Sequence, residues 1–149
     1  MKFSVKNPFV LVLFCLMTGV FITVSFLETP LKFQVPGMNL PIALELGKIM
    51  FGISTVIQGI SLILILILMF ISHRNYTKLD FIILMALLFI VSLQQFWMLP
   101  VLDSRIALLS SGKPLQPTPL HDYFIYAETA KALIIAIAII LQFKKIKIK

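Results

Sequence analysis

Glu128 and Lys131 stand three residues apart inside an otherwise apolar run, and His121 precedes Glu128 by about two helical turns. On a helix, His121, Ile125, Glu128 and Ala132 recur at spacings of four, three and four and share one face, while Lys131 approaches Glu128 from the side. Such a group has three uses. The charges can neutralise one another in a structural network, because buried charges persist only when paired. They can bind a small ligand, ion or lipid. In the third reading, His121 or Glu128 is the acid or base of a small membrane-embedded enzyme.

Other polar groups belong to the same level of the chain. Gln94, Met98, Val101 and Arg105 share a face of the preceding apolar segment if Pro100 leaves its axis unrotated, and Glu28 follows the first apolar segment. The expected ligand-binding set is therefore His121, Glu128, Arg105, Glu28, Gln95 and Lys131, with Gln94 and Trp97 beneath it. An ionisable side chain costs roughly 2.5–3.5 kcal/mol at the centre of a spanning helix and less near its ends, which makes these residues the functional lead.

Other chemistries lack their motifs. Seven Met, two His and one Cys suit Cu(I) by type, but the methionines are scattered with no M-x-x-M or H-x-x-H pair, so no metal site is expected. There is no Walker loop, dinucleotide-binding glycine motif, G-x-S-x-G or C-x-x-C, and no cofactor can be assigned. Cys15 alone forms no intramolecular disulfide.

The elements that must position the cluster are membrane helices. Of the 149 residues, 60% are apolar and 13% charged, and the mean hydropathy is +1.04. The expectation is one all-α integral membrane domain, a four-helix bundle with spans near residues 9–27, 46–71, 81–99 and 122–143. A cleavable signal peptide would need a shorter apolar core and a better cleavage site than Thr23-Val24-Ser25, so the first segment is read as a retained span. Residues 28–41, with three prolines and a glycine, read as a helix-breaking loop over the outer mouth of the bundle. Pro100 marks a kink or a helix end, residues 110–119 a loop, and the basic tail after Phe143 a disordered or lipid-surface segment. Asp80 closes a short basic loop, making spans two and three an antiparallel hairpin.

Eight of the thirteen Lys and Arg residues fall on the side of the N-terminus, the second loop and the tail. The positive-inside rule then places both termini in the cytoplasm of a multi-pass inner-membrane or plasma-membrane protein. The opposite side holds the other five bases and five of the six acids, a neutral balance. The net charge of +7 sits at helix ends and does not form a nucleic-acid-binding face. The bilayer is the expected partner. Small residues such as Gly52, Gly59, Ala130 and Ala136 would also admit a second copy or a partner subunit if they face outward.

Three stretches carry a resemblance: Glu28-Thr29-Pro30-Leu31-Lys32-Phe33 after the first segment, Gln95 to Pro100 with Arg105 after the third, and Leu120-His121 with Glu128 in the fourth. In this order the chain resembles a family of four-helix bacterial membrane proteins of unassigned activity. That family is distantly similar to the copper-resistance-D-like membrane proteins and to a small eukaryotic transmembrane family. The resemblance implies the four-helix fold and a role for His121 and Glu128; it carries no reaction.

Overall fold

A computed structural model of the protein describes residues 2–111 and 118–146. Its four long helices are α1 (Pro8–Lys32), α2 (Leu40–Ile71), α3 (Lys78–Leu109) and α4 (Leu120–Ile140), each long and apolar enough to cross a membrane. α1 packs against α2 and α4, and α3 packs against the same two, so the helices form a closed four-membered ring. Phe14, Phe21, Leu62, Ile65, Leu84, Leu87 and Ile135 fill its centre. Large apolar side chains such as Phe9, Ile71, Phe96 and Ile140 point outward instead. An exposed apolar girdle on every helix is the surface that lipid covers and water does not.

Pro30, expected in a helix-breaking loop, and Pro100, expected at a kink or a helix end, both lie inside helices. α1 continues through Pro30 and α3 through Pro100, each by way of a π turn, at Thr23–Glu28 and Gln94–Met98. A proline within a helix removes one N–H and crowds the carbonyl four residues back. The wider π turn opens room there: the Leu99 N–H donates to the Gln94 carbonyl five residues back, and Thr29 Oγ1 donates to the Val24 carbonyl at 3.1 Å. The two helices are built alike, for Pro30 follows Pro8 by 22 residues and Pro100 follows Lys78 by 22. The first loop is accordingly only residues 33–39, with Gly37 at φ 82° supplying its left-handed turn. Residues 112–117 of the expected third loop, and Lys147, Ile148 and Lys149 of the tail, lie outside the described residues.

The start of the tail corrects another expectation. Phe143–Ile146 forms a strand, β2, antiparallel to β1 (Lys2–Val5), with Lys2 opposite Ile146 and Val5 opposite Phe143. This ribbon is tied to the loop between α2 and α3: Asn75 Nδ2 donates to the Lys6 carbonyl at 3.2 Å, and Lys144 Nζ to Asn75 Oδ1 at 3.1 Å. The N-terminus, the second loop and the C-terminal strand thus share one end of the bundle. Lys6, one of the basic residues at this end, is held in an ion pair. Its ammonium lies 2.7 Å from both oxygens of Asp80, which also accepts from the Thr77 N–H and hydroxyl in a capping box at the start of α3.

Candidate functional site

The opposite end holds the polar cluster, in two layers. The buried stripe of α4 is Leu120, Phe124, Glu128, Lys131, Ile135 and Ala138. Lys131 therefore shares the inward face with Glu128 and does not approach it from the side. Its Nζ lies 2.7 Å from Glu128 Oε1 and donates to Gln94 Oε1 at 2.7 Å, while Gln94 Nε2 donates to Glu128 Oε1 at 2.7 Å. Ser25 Oγ donates to Glu128 Oε2, and the Lys131 ammonium sits 4.8 Å from the centre of the Phe21 ring. Ser25 and Gln94 belong to the two π turns, so each turn delivers one donor to the same carboxylate. The layer is charge-neutral, buried and joined across α1, α3 and α4, as a buried ion pair requires.

Above this layer lies a cavity of about 540 Å³, within the range of small-molecule sites. It is bounded by the upper part of α1, the first three turns of α2, the end of α3 and the start of α4. Leu44, Phe51, Leu102 and Phe124 give it apolar walls, and Glu128 and Ser25 form part of its floor. Phe51 and Phe124 meet edge to face at 5.2 Å. Lys32, Lys48, Asp103, Arg105 and His121 supply its charged and titratable lining. Phe26 of α1 and Ile125 of α4 both line the cavity, yet each is 47% exposed, so both are also part of the outer surface. α2 and α3, at 32 residues and about 48 Å, are longer than a hydrocarbon core of about 30 Å, and the cavity lies toward one end of both. Trp97, Tyr123 and Tyr126, all exposed on this half, are residues suited to the membrane–water interface.

The expected site residues divide accordingly. Glu128, Arg105 and His121 line the cavity, and Lys131 lies beneath it. His121 is exposed, and among the described residues no hydrogen bond joins it to Glu128. Glu28 does not line the cavity; it lies 3.6 Å from Lys32, which does. Gln95 does not line the cavity. Its neighbour Gln94 makes the network, whereas Gln95 Oε1 is buried without a hydrogen-bond partner among the described residues. The shared face of Gln94, Met98, Val101 and Arg105 also breaks: Gln94 and Met98 are buried, but Val101 is exposed, because the π turn shifts the register. Ser25 and Lys32 were hidden, one in a segment read only for cleavage and the other in a stretch read as loop. The polar spacing Ser25–Glu28–Thr29–Lys32, continued through Pro30, was the signal for both.

The small residues divide as well. Gly59 faces Val91 inside the bundle, whereas Ala130 and Ala136 are exposed on α4. No family model, curated protein or solved structure matches the chain.

Proposed function

We propose that this is a multi-pass protein of the cell inner membrane or plasma membrane, with both termini in the cytoplasm, that binds a small amphipathic ligand in the cavity. The Glu128–Lys131–Gln94–Ser25 layer is its structural floor. The observation that carries this reading is the roughly 540 Å³ cavity with apolar walls and charged residues in its lining. Its occupant is drawn from the bilayer, since the lining residues Phe26 and Ile125 are also exposed on the apolar outer surface. The orientation is supported by six basic residues, Lys2, Lys6, Arg74, Lys78, Lys144 and Lys145, at the end where β1, β2 and the second loop meet. The kinship with the four-helix bacterial family belongs to the same proposal.

Native mass spectrometry of the purified protein tests the ligand. Wild type should carry an adduct of small-molecule mass that is missing from Leu102→Trp, in which an indole fills the cavity. Identical adducts in both would remove the cavity from the account. Masses of two chains, or of a second polypeptide, would support the alternative of an assembly through the exposed alanines of α4.

A further inference from the structure

Lys32 is a cation in an unusual setting. It ends α1 beyond Pro30, is 7% exposed and lines the cavity. Its ammonium carries three N–H donors, yet among the described residues none makes a hydrogen bond, and its counter-charge, Glu28, is 3.6 Å away. Both Glu28 oxygens are themselves buried without a hydrogen bond among the described residues. The pair therefore has charge balance without the hydrogen bonds that normally repay burial. Contrast Lys131 one layer below, whose ammonium contacts Glu128 and Gln94 at 2.7 Å each.

Gly47 holds Lys32 in this position. A Cβ on Gly47 would stand 2.6 Å from Lys32 Nζ, so the absent side chain is what lets the ammonium lie against α2 at the cavity wall. The cavity lining contains three strong bases, Lys32, Lys48 and Arg105, and two acids, Asp103 and Glu128. Glu128 is matched by Lys131 within a hydrogen-bonded network, whereas Lys32 is matched by Glu28 without one. Lys32 stands seven residues beyond Ser25 on the same helix, about 10 Å above the floor.

We propose that Lys32 is the anchor for an oxyanion head group, and that the cavity's occupant is a single-chain amphiphile with a carboxylate or phosphate monoester at one end. This rests on the cavity reading above. The head group accepts the N–H bonds that Lys32 lacks, and the chain lies between Leu44, Phe51, Leu102 and Phe124. A charge-assisted bond to a desolvated ammonium favours an anionic head over a neutral one of equal chain length by roughly ten- to a hundredfold in affinity.

The test uses the full chain in a neutral detergent at mildly alkaline pH. The probes are a saturated fatty acid, the alkyl phosphate and the fatty alcohol of one chain length, bound to wild type, Lys32→Gln and Gly47→Ala. Wild type should prefer at least one anion to the alcohol by about tenfold or more, and the preferred anion names the head group. Lys32→Gln should lose that preference and keep alcohol binding. Gly47→Ala keeps the charge but displaces the ammonium, and should lose most of the preference with its melting temperature unchanged; it decides the matter if Lys32→Gln does not fold. Equal binding of anions and alcohol by wild type, or a preference that survives in Gly47→Ala and Lys32→Gln, would overturn the role of Lys32 and leave the cavity standing. Binding of none of the three would overturn the cavity reading itself.

Discussion

Ser25 on the first helix and Gln94 on the third donate to opposite oxygens of one carboxylate, that of Glu128 on the fourth. Each donor sits in a π turn that precedes a proline. The turns that carry α1 and α3 through Pro30 and Pro100 are thus also what aims two polar side chains into the bundle. This joins backbone geometry to the layer on which the cavity rests.

Removing the carboxylate should cost more than neutralising it. Glu128→Ala leaves the Lys131 ammonium buried with only Gln94 to receive it, a loss of about 3–5 kcal/mol. Glu128→Gln keeps an oxygen for Gln94 and Lys131 and should lose less, while Glu128→Leu combined with Lys131→Leu should recover much of the loss, because no charge remains uncompensated. Folded yield and melting temperature in detergent measure all three. Equal losses in the two single variants would mean that Glu128 is solvated.

Gln94 and Gln95 offer a sharper contrast because they are neighbours. Gln94→Leu removes a donor from Glu128 and an acceptor from Lys131, and should cost roughly 2–3 kcal/mol. Gln95→Leu removes an amide oxygen that has no partner among the described residues and should change stability by less than about 0.5 kcal/mol. Melting curves of the two variants decide it, and a larger loss at Gln95 would contradict the register set by the π turn.

Tyr76 gives the opposite end a pH signature. Burial, with the Asp80 carboxylate second, raises its phenol from 10.0 to about 12. The folded protein holds this proton more tightly than the unfolded chain, so the contribution is full below about pH 10 and is lost as pH rises towards 12. Tyr76→Phe also gives up the hydrogen bond to Gln142 Oε1 at 3.3 Å, worth about 1 kcal/mol. Denaturation curves should show wild type the more stable at neutral pH, with the gap closing above about pH 10. A gap that widens there would contradict the burial of the phenol.

The orientation is open to labelling. In a Cys15→Ser background, single cysteines replace Gln34 in the first loop and Arg74 in the second, both exposed. A membrane-impermeant maleimide should label intact cells at position 34 and require lysis to label position 74. The reverse pattern would turn the protein over.

Four helices were legible because a run of about 20 apolar residues leaves a membrane helix as its simplest reading. Their ends were not. Proline reads as a breaker, so α1 was expected to stop near residue 27 when it runs to Lys32, and Pro100, read as a kink or a helix end, lies within α3, which runs to Leu109; both helices pass their proline by way of a π turn. Glu128 and Lys131 stood out because charges are rare in such segments. Their partners Ser25 and Gln94 lie 103 and 34 residues away in sequence, a pairing that periodicity along one helix cannot reveal. The same holds for Lys6 and Asp80, 74 residues apart, where one of the eight basic residues counted toward the topology is half of a buried pair. Lys32 was misplaced for the proline's sake alone.

If the cavity is a binding site, thermal stabilisation by lipid reports it most directly. A ligand that binds only the folded state raises the melting temperature in proportion to its occupancy. Adding a total lipid extract from the host membrane to the detergent-purified protein should raise the melting temperature of wild type by several degrees and leave that of Leu102→Trp unmoved. An equal rise in both would show that the lipids act on the outer surface of the bundle and contradict the cavity as the site.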